Sequence, residues 1–147
     1  MVDQSQAFIT ERIPHRPPFL WVDRVVELNG DSLTAEKMVP ADLELFAGHY
    51  PGYPLMPGVL LCEAVFQAGA VLLAEMAGDA AGGGVPVLVR INGARFKREV
   101  RPGDALTIRV RLIEQVGPAW FMKGSVRVSG RTAVQVEFAC AMKKQDG

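Results

Sequence analysis

The stretch that decides the fold is PGVLLCEAVFQAGAVLLAEMAG, residues 57–78. From Val59 to about Ala77 it is apolar nearly all round, and Gly78 follows where a helix C-cap is expected. Pro57 stands where a helix start tolerates proline, because the missing N–H would have no intrahelical partner. The stretch therefore predicts one helix about 28 Å long, which the rest of the chain must cover on most sides.

The sequence around this helix predicts a sheet. Segments rich in β-branched and aromatic residues, or alternating in polarity, are bounded by turn signals such as Asn29-Gly30. We predict strands at about 19–28, 32–39, 85–94, 105–116, 119–128 and 131–142. Residues 1–18 are predicted to be irregular because three prolines prevent a continuing helix. The order of two strands, a helix and four strands predicts an α+β domain in which a curved antiparallel sheet wraps around the central helix.

The composition is that of a compact globular domain. Hydrophobic residues make up 49% and charged residues 22% of the 147 residues, which excludes a disordered chain. Sixteen Lys and Arg against sixteen Asp and Glu give zero formal charge, so we expect no binding to nucleic acid by bulk charge. The length predicts a single domain over residues 1–147.

The N-terminus and the cysteines both indicate a cytoplasmic protein. Asp3, Glu11 and Arg12 interrupt the N-terminus and no apolar segment follows a basic start, so we expect no secretory signal. We also expect no membrane span, since the apolar helix is predicted to be core. Cys62 and Cys140 lie far apart without CxxC spacing, which argues against a metal site and predicts two buried thiols in a reducing compartment.

Glu63 is the first candidate for chemistry, because it is the only carboxylate between Val59 and Ala74. A buried carboxylate is costly unless it is paired, hydrogen-bonded, protonated or facing a cavity. Gln67 lies four residues on, on the same helix face, and is expected to orient Glu63 by a hydrogen bond. The alternative is that Glu63 only complements the positive end of the helix dipole.

The loop before the helix, HYPGYPLMPG, supplies the other candidates. His49 has the side chain best suited to act as general base at neutral pH, although a loop histidine satisfied by the backbone has the same sequence. Gly58 would let a ligand approach the free N–H groups of the helix start, which could polarise a carbonyl as it becomes an enolate, or it is an ordinary turn glycine. Together the residues predict an enolisation site. His15, between prolines, is predicted to make only a structural hydrogen bond.

The segment GHYPGYPLMPGVLLCEAVFQAG, residues 48–69, resembles the signature of the FabZ-type 3-hydroxyacyl-[acyl-carrier-protein] dehydratases. IPHRPPFLWVDRVVEL (13–28) and ARFKREVRPGD (94–104) resemble stretches at the same places in that family, and the resemblance covers residues 10–143. It implies a hotdog fold and a homodimer with shared active sites. In the family such dimers often assemble into hexamers, as trimers of dimers.

The resemblance also implies the site. Its catalytic histidine falls on His49 and its acidic partner on Glu63, from opposite protomers, and the backbone N–H groups of Gly58 and Val59 match the donors to the thioester carbonyl. Glu63, rather than an aspartate, favours the FabZ type over the related bifunctional dehydratase–isomerases. Tyr53 departs from the basic residue that many relatives carry at its position.

The implied activity is dehydration of 3-hydroxyacyl-[acyl-carrier-protein] to trans-2-enoyl-[acyl-carrier-protein] in fatty-acid biosynthesis. The acyl chain would arrive on phosphopantetheine, with no metal or redox cofactor. Phe66 is bulkier than is common in the family and is expected to line or plug the acyl tunnel, so chain length is left open. Two alternatives stay open as well: a dehydratase of a specialised polyketide or polyene pathway, and a non-catalytic acyl-binding or scaffolding subunit.

A basic cluster predicts contact with the acidic acyl carrier protein. Five basic residues and one acidic residue, Glu99, give a net charge of +4 between residues 90 and 101 of an otherwise neutral chain. Such a patch would steer an acidic partner, and the alternative is a solvated strand face. The cluster consists of Arg90, Arg95, Lys97, Arg98 and Arg101.

Overall fold

The structure is a computed structural model that describes residues 2–78 and 84–144. Its sheet has six strands in the order β1-β2-β4-β5-β6-β3, and all neighbouring pairs are antiparallel. The sheet packs around one long helix, α2, as predicted. The elements are α1 Gln6–Thr10, β1 Arg24–Asn29, β2 Ser32–Met38, a 3-10 helix Glu44–Ala47, α2 Gly58–Ala77, β3 Val85–Phe96, β4 Ala105–Val116, β5 Ala119–Val128 and β6 Arg131–Lys143.

The central helix begins one residue earlier than predicted, at Gly58, with Pro57 as its N-cap. Gly78 is its C-cap at φ 52°, and its N–H donates to the carbonyl of Ala74. A side chain at Gly69 would meet the Phe138 ring at 2.8 Å, so glycine lets the sheet pack closely on the helix. The helix is buried on all sides along its middle, which places the core between α2 and the sheet.

By length and composition, α2 would suffice to cross a bilayer, with a mean hydropathy of 1.7. However, 67% of its most apolar window is buried inside the fold. It is the only helix of this kind within residues 2–78 and 84–144. Its apolar character is therefore explained by burial against the sheet, as the sequence predicts.

The N-terminal region differs from its prediction. Residues 19–23 are not a strand, and β1 starts only at Arg24, because the N–H of Trp21 donates to the side-chain oxygen of Gln67 at 2.8 Å instead of to a neighbouring strand. Residues 6–10 are not irregular but form α1. Ser5 caps this helix by accepting from the N–H of Phe8 at 3.3 Å.

Strand β3 lies at the edge of the sheet and runs for 12 residues, two more than predicted. Its side chains at Val89, Ile91 and Phe96 are each more than half exposed. A long edge strand with exposed apolar side chains favours pairing with another chain, and native proteins usually cover or charge such an edge. The free edge of β3 is therefore a surface suited to a second strand.

Both cysteines are free and buried, as predicted. Burial raises the pKa of the Cys62 thiol. Burial and, to a lesser extent, the charge of Glu63 raise the pKa of Cys140 to about 12. Both side chains are therefore neutral thiols at physiological pH.

Candidate active site

His49 is held by one ring nitrogen, while the other has no hydrogen bond to any residue that the structure describes. Its Nδ1 atom lies 2.9 Å from the carbonyl oxygen of Leu55 across the proline-rich loop. A carbonyl can only accept, so Nδ1 carries the proton and Nε2 of the neutral ring keeps its lone pair. The ring stacks on Tyr50 with centroids 4.3 Å apart, which adds a second constraint on its plane. The free Nε2 is placed to act as a base.

His49 shares a cavity with the start of α2, which we call the His49 cavity. Its volume is about 420 Å³, and its wall includes Gly58, Val59 and Phe96. Gly58 is the first residue of α2, where backbone N–H groups have no intrahelical partner. A side chain at Gly58 would meet the Phe96 ring at 2.7 Å, which explains glycine at this position. A carbonyl in this cavity could accept from the helix N-terminus beside a basic nitrogen.

Glu63 is anchored from inside the core. The Gln67 Nε2 atom donates to Oε2 of Glu63 at 3.0 Å and to the carbonyl of Phe19 at 3.0 Å, while its Oε1 accepts from Trp21 N–H at 2.8 Å. The Gln67 side chain is fully buried, so it has no freedom to release the carboxylate. The hydrogen bond expected from the spacing of Glu63 and Gln67 is thus present in the fold.

Glu63 faces a second cavity, the Glu63 cavity, of about 250 Å³. Its wall includes Phe66, Cys140 and His15. Phe66 is 8% exposed and packs edge-on against Phe138 with centroids 4.9 Å apart, so its ring limits the depth of this cavity. Within one protomer, His49 and Glu63 therefore lie in different cavities.

His15 does not make the structural hydrogen bond that the sequence predicts. Its Nδ1 is buried without a partner among the described residues, and its Nε2 lies 3.7 Å from Oε2 of Glu63. His15 and Glu63 lie far apart in the sequence, so the sequence pattern does not reveal that the fold places their side chains next to each other. The only indication in the sequence that His15 belongs to the site was its position in residues 13–28, one of the three stretches that carry the family resemblance.

The basic cluster lies along β3 and the loop after it, and all of its members are exposed. Arg98 also lines the His49 cavity. Arg101 is less free, because it donates to the hydroxyl of Tyr53 at 2.8 Å and lies 3.4 Å from the carboxylate of Glu99. Tyr53 in turn donates to Glu99 at 2.8 Å, and this hydrogen bond raises the pKa of the phenol.

The two cavities hold complementary chemistry. One combines an unprotonated imidazole nitrogen with helix N-terminal N–H donors, and the other presents a carboxylate fixed by an amide. No group of three or more His, Cys, Asp or Glu is arranged to hold a metal ion within the part of the chain that the structure describes. Such groups can remove a proton beside a polarised carbonyl and donate one to a leaving oxygen.

Comparison with known families gives one family match. Residues 13–137 match the family model described as a FabA-like domain. The chain is 42% identical over 144 residues to 3-hydroxyacyl-[acyl-carrier-protein] dehydratase FabZ of Oceanobacillus iheyensis, covering 97% of this chain and 100% of the relative. It is 44% identical over 145 residues to the FabZ of Paracidovorax citrulli, covering 97% and 98%.

Solved structures with a similar fold include the dehydratase heterocomplex ApeI:P from Xenorhabdus doucetiae. It has a TM-score of 0.78 and 17% identity, covering 93% of this chain and 91% of that one. A hypothetical thioesterase from Streptococcus pneumoniae, solved with coenzyme A, has a TM-score of 0.63 and 12% identity, covering 84% and 90%. At these identities the similarity concerns the fold alone.

Proposed function

The chain belongs to the FabA-like family and has its hotdog fold, and from this we propose that it catalyses the dehydration of 3-hydroxyacyl-[acyl-carrier-protein] to trans-2-enoyl-[acyl-carrier-protein] in fatty-acid biosynthesis. The observation that carries the proposal is the state of His49. Its Nδ1 is tied to a carbonyl and its Nε2 is left as a base beside the N–H groups of Gly58 and Val59. This is the arrangement that proton removal beside a thioester carbonyl requires.

The reaction follows from these groups. The thioester carbonyl accepts from the N–H groups of Gly58 and Val59, which stabilise the enolate-like charge. His49 Nε2 takes the proton from C2, and the electron pair of that bond forms the C2=C3 double bond as the C3–O bond breaks. Glu63 donates a proton to the departing hydroxyl, directly or through water, so that water leaves. The proton on His49 then returns to Glu63 through solvent.

The complete site is proposed to form between two protomers. Because His49 and Glu63 line separate cavities of one chain, His49 of one protomer would meet Glu63 of the partner subunit. The free edge of β3 supports this arrangement, since pairing two copies of β3 would cover its exposed apolar side chains. Each protomer is a single domain in this arrangement. Further assembly into a hexamer is compatible with it.

The substrate is proposed to arrive on the phosphopantetheine of an acidic acyl carrier protein in the cytoplasm. The exposed basic cluster beside the His49 cavity would steer this partner by charge. The elimination needs a base, an acid and N–H donors, and the proposal therefore includes no metal and no redox cofactor.

The two alternatives from the sequence have weaker support. Relatives at 42% and 44% identity over nearly the whole chain are FabZ enzymes, which favours fatty-acid biosynthesis over a specialised polyketide or polyene pathway. A non-catalytic subunit would not need the Glu63 carboxylate to be held in place by the fully buried amide of Gln67. Both alternatives predict no turnover of the fatty-acid substrates.

The proposal is tested by following enoyl-thioester absorbance with a 3-hydroxyacyl carrier protein as substrate. We expect turnover by the wild type and a loss of at least about 100-fold in kcat for His49→Ala and Glu63→Gln, the usual contribution of a general acid or base. Glu44→Gln, which changes an exposed carboxylate in the 3-10 helix, is the matched control and should keep full activity. A wild type inactive on both short and long chains would refute the proposal.

A further inference from the structure

His15 is a titratable group beside the proposed acid that the mechanism does not use. Its Nε2 lies 3.7 Å from Oε2 of Glu63, and the two side chains are 27% and 22% exposed. Its ring stacks on that of Phe19 with centroids 6.5 Å apart and an angle of 21° between the planes, and His15 lines the Glu63 cavity. Cys140, the other ionisable neighbour of Glu63 in this wall, is a neutral thiol. Within the described residues, His15 is thus the only group lining this cavity that can carry a positive charge.

The surroundings of the His15 ring select its tautomer. Nδ1 is buried without a partner, and a buried N–H without an acceptor would be costly. The proton of the neutral ring is therefore on Nε2, facing Glu63, which is the opposite of His49. The neutral rings of the two histidines therefore have opposite tautomers.

Two N–H donors converge on the same oxygen of Glu63. Gln67 Nε2 donates to Oε2 from within the helix, and His15 Nε2 faces Oε2 from the N-terminal segment. At 3.7 Å the second contact is longer than a hydrogen bond, and contacts of this kind commonly tighten when substrate closes the site. Oε1 of Glu63 has no hydrogen bond within the described residues and is therefore the carboxylate oxygen left available to a ligand.

We propose that His15 is a positioning residue for Glu63, and that its Nε2–H shares Oε2 with Gln67 so that Oε1 is the oxygen that delivers the proton to the leaving hydroxyl. The inference rests on the proposed acid role of Glu63. His15 acts through the carboxylate of Glu63. A loss of its donor should lower the rate of the chemical step and leave substrate binding nearly unchanged.

The kinetic test compares His15→Phe with His15→Gln. Phenylalanine keeps a ring beside Phe19 but removes the donor, and the amide nitrogen of glutamine reaches the position of Nε2. We expect kcat of His15→Phe to fall about 10- to 100-fold with KM within about threefold, and His15→Gln to recover most of the loss. The Tm of His15→Phe should be unchanged or higher, because a buried unpartnered nitrogen is replaced by carbon.

A wild-type kcat in His15→Phe would overturn the proposal, and so would a loss of activity that merely follows a lower Tm. Equal losses in the Phe and Gln variants would also overturn it, because the donor would then not be what matters.

Imidazole nitrogen NMR tests the contact without turnover, so failure of the proposed function would not obscure the result. The chain has two histidines, which makes His49 an internal reference. We expect His15 as the Nε2–H tautomer and His49 as the Nδ1–H tautomer, and Glu63→Gln should move the His15 Nε2 signal while leaving its tautomer intact. An unmoved His15 signal, or the same tautomer for both rings, would overturn the inference.

Discussion

Gln67 holds Glu63 from inside the core, with its Nε2 atom 3.0 Å from the carboxylate oxygen Oε2 and its side chain fully buried. The same amide satisfies the carbonyl of Phe19 and the N–H of Trp21. One side chain therefore fixes the proposed acid to both α2 and the N-terminal segment.

Replacing Gln67 by methionine removes these hydrogen bonds at similar volume. We expect the free energy of unfolding to fall by about 1–3 kcal/mol, because buried backbone groups lose their partners. We also expect kcat to fall at least tenfold, measured well below the unfolding transition. Urea denaturation and the enoyl-thioester assay check the two effects, and an unchanged kcat would show that Glu63 needs no orientation from Gln67.

Mixing two inactive variants tests the shared site. His49→Ala and Glu63→Gln, refolded together at equal amounts, should form mixed dimers that contain one intact site. Random pairing makes half of the dimers mixed, so we expect about a quarter of the wild-type activity to return. Each variant refolded alone is the control. A mixture as inactive as its parents would mean that the two side chains work within one protomer.

Shortening Phe66 should change substrate preference. Phe66→Ala removes the ring that limits the Glu63 cavity, which leaves room for further methylene groups of an acyl chain. Each buried methylene contributes about 0.8 kcal/mol, so two of them correspond to a roughly tenfold gain in kcat/KM for long chains relative to short ones. Competition between carrier-bound substrates of different lengths measures the ratio. An unchanged ratio would exclude Phe66 from the tunnel wall.

Adding one methyl group at Gly58 should disturb the proposed N–H donors. The new carbon would lie 2.7 Å from the exposed Phe96 ring, so the ring or the helix start must shift to make room for it. We expect Gly58→Ala to lower kcat about tenfold or more, the scale of one weakened oxyanion donor. The double variant with Phe96→Ala relieves the clash and should regain part of the rate. A double variant no better than Gly58→Ala would exclude the clash as the cause.

The buried thiol of Cys140 should make stability fall at high pH. Its pKa is raised to about 12 by burial and by the charge of Glu63, whereas the unfolded thiol titrates near 9. The unfolded state thus loses this proton first, and the stabilising contribution of Cys140 is complete below pH 9 and is lost between about pH 9 and 12. Chemical denaturation across this range should show a smaller decline for Cys140→Ala than for the wild type. Parallel curves would contradict the prediction.

Much of the fold could be predicted because its signals are local. Strands β4 and β5 have the predicted bounds, since they alternate with period two between clear turn residues. The region before Arg24 was not predictable in this way. Trp21 and its neighbours have strand-like side chains, but the partner of the Trp21 N–H is a glutamine side chain 46 residues away. The five-residue helix α1 has too few turns for a periodic signal.

The contacts of the candidate site likewise fall into local ones, which the sequence predicts, and long-range ones, which it does not. The Glu63–Gln67 contact follows from helical spacing, which the sequence contains directly. The contact of His15 with Glu63 joins residues 48 positions apart, and only the packed fold brings them together. The tautomer of His49 likewise depends on a loop closure that places the Leu55 carbonyl beside its ring.

Phe96 belongs to β3, whose free edge is proposed to receive a second copy, and it also covers Gly58 at the start of α2. In the proposed dimer, assembly and the geometry of the carbonyl donors would thus be coupled through one aromatic ring. A short peptide that occupied the edge of β3 would compete with the second copy for that edge and would lie beside the strand that carries Phe96, without entering the catalytic cavity. Its potency would not depend on the length of the acyl chain that the enzyme accepts.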